Sequence, residues 1–173
     1  MKIQLEEAAL KEEDARLIMD WRNDEQSLRM SYHQEPKTWP EFWVEYDAEY
    51  FTDPHLPGLF AVFQGERVAF VRFQTYLEGP LTGRTVSIGI NVAPAQRGKG
   101  LGSRIIASAT DWAFALGVRN VVAEIKRNNE ASIRAFQRAG YQYLDAMERH
   151  VPDTKERVAI YRYVHTNPAV LEP

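Results

Sequence analysis

The stretch Gln96-Arg97-Gly98-Lys99-Gly100-Leu101-Gly102 decides how this chain reads. A strand-like run, residues 85–92, precedes it, and an apolar-periodic segment, residues 103–116, follows. A glycine-rich turn between a strand and a helix is a device for holding anions. Glycine lets the backbone turn tightly and approach a ligand closely. The helix that follows opens with free N–H groups at the positive end of its dipole, which receive phosphate oxygens well.

Working outward, residues 120–125 form a second apolar strand beyond Gly117, a glycine placed to end the helix 103–116. The unit strand–turn–helix–strand is a parallel crossing. Residues 130–139 read as a further helix stopped by Gly140, and residues 141–147 and 157–164 as two more strands. Before the turn, residues 59–63 and 67–75 flank Gln64-Gly65-Glu66 and read as a hairpin. Residues 2–9 form a short strand, and residues 12–21 a helix with Ala15, Leu17, Ile18 and Trp21 as its apolar stripe. The polar residues 24–37 read as a loop or broken helix. Thr38-Trp39-Pro40-Glu41 fits a capping box that opens a helix to about residue 51. In that helix Trp39, Phe42, Trp43, Tyr46 and Tyr50 recur at three and four residues, the spacing of a core face. Antiparallel strands joined to one parallel crossing predict a mixed sheet with helices on both faces, in a single domain over residues 1–173 with a frayed tail at 167–173.

Composition bounds the function. The 173 residues are 45% hydrophobic and 12% aromatic, enough for one packed core. A formal net charge of −3 gives no global pull toward nucleic acid. With no cysteine, disulfides, thiolate metal sites and a cysteine nucleophile are excluded. The residues after Met1 lack a signal-peptide core, and no apolar run approaches the ~18 residues a membrane span needs, so the expected setting is soluble and cytoplasmic. The turn lacks the Gly-x-x-x-x-Gly-Lys-Ser/Thr of a P-loop, and its glycine spacing is not that of a dinucleotide fingerprint.

Two separated motifs carry a resemblance. Arg97, Gly100 and Gly102 match the pattern Arg/Gln-x-x-Gly-x-Gly/Ala, and Asn129, Ser132, Phe136, Gly140 and Tyr141 match Asn-x-x-Ala/Ser-x-x-x-Tyr/Phe-x-x-x-Gly-Phe/Tyr. Over about residues 85–145 the chain resembles the GNAT superfamily of acyl-CoA-dependent N-acyltransferases. The resemblance implies an α/β (α+β) fold: a mostly antiparallel sheet of about seven strands, splayed at its centre and flanked by about four helices. It implies acetyl-CoA as co-substrate and no metal. The pyrophosphate would sit on the N–H groups of Arg97, Gly98, Lys99, Gly100, Leu101, Gly102 and Ser103, and the pantetheine arm along Ile90 and Val92. The acyl carbonyl would lie against a backbone N–H near Asn91, and Asn129, Ser132 and Phe136 would complete the cofactor site.

The chemistry implied is direct attack of a neutral amine on the thioester, with a carboxylate or water chain taking its proton and backbone N–H groups holding the oxyanion. Some members use a glutamate five residues before the motif asparagine as base; that position is Glu124. The alternative for Glu124 is a strand-end carboxylate paired with Lys126 or Arg104. The family's usual tyrosine acid falls at Phe136, which cannot donate a proton. Tyr141, Tyr143 and Ser132 are the local substitutes, Tyr141 doubling as a packing residue.

The acceptor is read from the N-terminal third. Trp21-Arg22-Asn23 resembles a stretch in bacterial acetyltransferases of nucleotide-linked amino sugars, and in the branch that acetylates ribosomal-protein N-termini. The first reading makes Trp21, Arg22 and Asn23 substrate-binding and the partner a small-molecule amine, with no nucleic acid and no membrane. Protein N-termini, polyamines and aminoglycosides stay open as acceptors, a homodimer is left open, and Phe136 keeps a non-catalytic CoA-binding module in view.

Overall fold

Gln64 and Gly65 both take positive φ, 54° and 79°, and close a two-residue hairpin between β2 (Leu59–Phe63) and β3 (Glu66–Thr75). Such turns match the twist of the strands they join. In this computed structural model, which describes residues 1–152 and 154–170, the hairpin anchors one half of the sheet. β1 (Gln4–Glu7) pairs antiparallel with β2, and β4 (Thr85–Val92) with β3. The other half is β5 (Asn120–Lys126), β7 (Arg157–Thr166) and the edge strand β6 (Gln142–His150), antiparallel to one another. The order is β1-β2-β3-β4-β5-β7-β6, and the contact of β4 with β5 is parallel. This is the mixed, mostly antiparallel seven-stranded sheet expected.

Strand alternation sends side chains to two cores. Leu59, Ala61, Ala69, Val71, Phe73 and Val86 face α4 (Leu101–Ala115), whose Ile105, Ile106, Ala109 and Ala113 are buried there, with Phe136 of α5 (Glu130–Arg138) in the same cluster. Phe60 and Phe70 face the opposite side. They meet Ala15, Ile18 and Trp21 of α1 (Glu12–Asn23) and Phe42, Tyr46 and Tyr50 of α3 (Trp39–Glu49). The aromatic stripe of α3 is therefore core packing, as its spacing predicts. Asp14, 1% exposed, holds the start of α1 by accepting from the Ala9 N–H at 2.9 Å and from Arg67 at 2.8 Å.

Three local expectations change. Thr38 is the N-cap of α3, but its side chain makes no capping hydrogen bond, so the expected capping box with Glu41 is not formed. Residues 24–37 contain a fifth helix, α2 (Glu25–Met30), capped by Asp24, which accepts from the Ser27 N–H at 3.3 Å. Asn167 is docked rather than frayed: it is buried and its side-chain amide donates to the carbonyls of Phe114 and Val118. Residues 171–173 of the expected tail lie outside the described residues.

Candidate active site

The parallel ladder between β4 and β5 is short. Only Thr85–Asn120, Val86–Val121 and Ser87–Val122 pair. β4 stays with β3 as far as Val92, and β5 stays with β7 as far as Lys126, so the two strands part beyond Ser87. Sheet twist then carries each half its own way. The gap is a cleft of about 570 Å³ between Ile88–Val92 on one lip and Ala123–Lys126 on the other. The edges of Ile88–Val92 and Ala123–Lys126 that face the cleft have no strand to pair with, which suits an extended chain carrying amides.

The glycine turn closes one end. Gly98 and Gly100 have φ of 75° and 73°, the left-handed region that favours glycine, and a Cβ on either would meet nothing within 4 Å. Gly100 is the N-cap of α4 and supplies no side-chain oxygen, so the first N–H groups of that helix have no capping partner from it. Arg97, Gly98, Gly100, Leu101, Gly102 and Ser103 all line the cleft, as do Ile90, Asn91 and Val92. Lys99 does not. Its ammonium donates to Gln96 at 3.2 Å, beside a small depression shared with Phe63 and Arg104. The Arg97 guanidinium also turns away from the glycines, donating to Asp24 at 2.6 Å and to the Ser27 hydroxyl at 2.8 Å. That hydrogen bond holds the Asp24 carboxyl below its usual range.

Glu124 lines the cleft on β5, on the face that carries α1 to α3. Its Oε1 accepts from the Tyr32 hydroxyl at 2.7 Å and from Arg149 Nε at 3.0 Å; its Oε2 accepts from the Tyr76 hydroxyl at 2.6 Å and from Arg149 Nη2. Four donors occupy the lone-pair directions of an ionised carboxylate. Burial alone would raise its pKa, but the bonds from Arg149, Tyr76 and Tyr32 outweigh it and the net shift is downward. Burial and the bond to Glu124 push the Tyr32 hydroxyl up, so it stays protonated. Neither pairing expected for Glu124 occurs: Lys126 donates to the Arg29 carbonyl at 3.0 Å, and Arg104 to that of Met1.

Asn129, Ser132 and Phe136 also line the cleft. The Asn129 carboxamide oxygen accepts from the Ser132 N–H at 3.3 Å and so caps α5. Tyr141 is not at the cleft. It is 3% exposed, packs edge-on against Phe136 at 5.0 Å, and shares a 2.7 Å hydrogen bond with the buried Thr110 hydroxyl. Tyr143 stands exposed on the edge strand β6. The candidate acid Tyr141 is thus a core residue, packed in the cluster under α4 just before β6 begins. Trp21, Arg22 and Asn23 are likewise absorbed elsewhere. Trp21 is buried edge-on against Phe60, Arg22 binds Glu45 and Tyr50, and Asn23 bridges to the Lys37 backbone in both directions, at 2.8 and 2.7 Å. None of the three lines the cleft. Sequence reasoning missed Tyr32, Tyr76 and Arg149 around Glu124, and the α2 residues Gln26, Ser27 and Met30 in the cleft wall. These contacts join segments 25 to 92 residues apart, and no local spacing marks them.

A profile of the Acetyltransferase (GNAT) family matches residues 16–141. The chain belongs to the GNAT acetyltransferase family. YwnH of Bacillus subtilis, provisionally named a phosphinothricin acetyltransferase, is 32% identical over 77 residues, 44% of this chain and 47% of its own. The mycothiol acetyltransferase of Mycobacteroides abscessus is 27% identical over 115 residues, covering 64% of this chain and 38% of its own. The chain thus spans about half or less of the length of these named relatives. Among solved structures, yncA of Salmonella typhimurium, with its cofactor acetyl-CoA, has the same fold (TM-score 0.74, 20% identity, 100% of this chain and 98% of that one). So does the aminoglycoside acetyltransferase AAC(6')-Ib with ribostamycin and coenzyme A (TM-score 0.78, 18% identity, 98% and 96%). Among the described residues no helix is long and apolar enough to cross a membrane, and no group of three or more His, Cys, Asp or Glu could hold a metal ion.

Proposed function

We propose that this GNAT protein transfers an acetyl group from acetyl-CoA to a primary amine of a small molecule. The observation that carries the reading is the parted pair β4–β5, which opens a cleft with an uncapped, glycine-built helix start at one end and a hydrogen-bonded carboxylate on its wall. The fit is to an extended, amide-bearing arm ending in a diphosphate: free strand edges for the amides, and first-turn N–H groups from Leu101 to Ser103 for the phosphates. Acetyl-CoA supplies the acyl group as a thioester that the amine attacks directly, with a thiolate as leaving group.

The chain's own part is positioning and electrostatics. Backbone N–H groups near Asn91 stabilise the oxyanion. Glu124 stays ionised and serves as the clamp that fixes Tyr32, Tyr76 and Arg149 around the acceptor end, while the amine's proton leaves to water. A carboxylate with four donors and a lowered pKa is a poor proton acceptor, which favours this role over that of base. With Phe136 in place of a tyrosine, the thiolate leaves unassisted or is protonated by solvent.

For the acceptor, a nucleotide-linked amino sugar is the class that the resemblance of the N-terminal third supports. The positions of Trp21, Arg22 and Asn23 lend that class no direct contact, and the named relatives span phosphinothricin, mycothiol and aminoglycoside acetyltransferases. The deciding experiment is acetyl-CoA consumption against nucleotide-linked amino sugars, other small amines, polyamines, aminoglycosides and N-terminal peptides. Turnover with small amines and none with peptides supports the proposal. CoA binding without turnover on any member overturns it in favour of a binding module.

A further inference from the structure

Resting on the reading of the cleft as an acyl-CoA site, one relationship goes beyond it. The helix α2 contains no buried residue, yet Gln26, Ser27 and Met30 form a wall of the cleft. A six-residue helix with no apolar anchor has little stability of its own. The ties to the cleft lips are polar. At its start, Arg97 holds Asp24 at 2.6 Å and the Ser27 hydroxyl at 2.8 Å. At its end, Lys126 holds the Arg29 carbonyl at 3.0 Å, and Glu124 holds Tyr32 just beyond at 2.7 Å. The first tie comes from the glycine turn after β4; the other two come from β5. So α2 bridges both lips of the cleft.

We propose that Arg97 is a positioning residue that couples the glycine turn to α2, so that seating phosphates on the turn and closing the wall over the cofactor arm are one event. Two guanidinium nitrogens bond two side chains at the start of α2, the N-cap Asp24 and Ser27 in the first turn, and two points of attachment from one rigid group fix orientation as well as charge. Phosphates that order residues 97–103 order the Arg97 stem with them, and through it the start of α2. With that tie cut, α2 keeps its β5 ties but loses its link to the phosphate end.

The test is backbone hydrogen exchange on the whole chain, without and with saturating coenzyme A. In the wild type, coenzyme A is expected to slow exchange both at 97–103 and at 25–32, the latter by about fivefold or more. Asp24→Asn keeps an N-capping side chain but loses the charge that Arg97 meets. In this variant, and in Arg97→Met, protection at 97–103 should persist while the added protection at 25–32 is lost. The double variant should lose no more than either single one, and Arg97→Lys should be intermediate. Equal coenzyme-dependent protection at 25–32 in wild type and both variants overturns the coupling. Protection confined to 97–103 in the wild type also overturns it, leaving the donor site intact. Protection at neither segment overturns the donor site itself.

Discussion

Arg149 meets Glu124 side-on, with Nε on Oε1 at 3.0 Å and Nη2 on Oε2, while Tyr32 and Tyr76 fill the remaining directions of the carboxylate. A base must have a lone pair to offer. Glu124→Gln is therefore expected to lower turnover by loosening the acceptor wall, without moving the midpoint of the pH–rate profile for a working amine. It should also destabilise the fold by about 2 kcal/mol, since Arg149 loses its bidentate partner. A shifted or vanished pH limb in the variant would show that Glu124 is the base after all.

Gly100 sits at φ 73° with open space where a Cβ would go. Gly100→Val is strained by conformation rather than by a clash within the protein, at about 1–3 kcal/mol. Its side chain projects where phosphates would approach. Calorimetry should record at least about tenfold weaker coenzyme A binding. Unchanged affinity would remove the phosphates from this turn.

Tyr141→Phe separates packing from chemistry. It deletes the hydroxyl bonded to Thr110 at 2.7 Å in the core. The expected loss is about 1–2 kcal/mol of stability, read as a fall in Tm of roughly 2–8 °C, with kcat unchanged. A kcat loss at unchanged Tm would restore Tyr141 as an acid.

Asn23→Ala should act on stability too. Its carboxamide ties the end of α1 to the backbone of Lys37, just before α3, through two hydrogen bonds. Removing both leaves the N–H and the carbonyl of Lys37, each part-buried, without these partners and costs about 1–3 kcal/mol. A raised KM for the acceptor at unchanged Tm would instead place Asn23 at the substrate.

Acid should weaken the fold in two windows. The His165 ring packs against Tyr141 and Phe114 and its Nδ1 is buried without a partner. Burial lowers its pKa below 6.5, with Asp111 opposing weakly. A lowered histidine pKa means the unfolded chain binds the proton first, so stability is full above 6.5 and falls as pH drops toward the folded value. Glu124, lowered from 4.5, contributes stability above that value and loses it as pH falls through its folded pKa. Tm measured from about pH 7 to 5 should decline less steeply in His165→Phe than in wild type. Parallel curves would mean that His165 does not titrate in this window.

Much of the fold is legible in the sequence because it is written locally. The hairpin at Gln64-Gly65 needs two residues at positive φ, the α3 stripe needs helical spacing, and the glycine turn needs Gly98 and Gly100; each signal lies within a few residues. The cleft wall from Ile88 to Val92 and from Gly100 to Ser103 is legible for the same reason. The residues around Glu124 are not, because Tyr32, Tyr76 and Arg149 arrive from a connection, a strand end and an edge strand whose approach depends on the whole sheet. Asn23 and Tyr141 mislead in the opposite way. Their polar groups look available in a list of residues, and only the packing of Lys37 and Thr110 against them takes them out of reach.

The three-residue ladder between β4 and β5 also divides the molecule. On one side are β1 to β4, on the other β5 to β7, and few backbone bonds cross the seam. The core facing α4 spans the seam, with Val71 and Val86 on one side and Val121, Ile125 and Tyr163 on the other, so side-chain packing joins the halves where the backbone ladder is short. Whatever extended molecule lodges there and pairs with both edges acts as a missing strand, so occupancy raises the unfolding temperature in proportion to the logarithm of its concentration. The opening that makes room for a ligand is thereby also the point at which that ligand sets how long the fold survives.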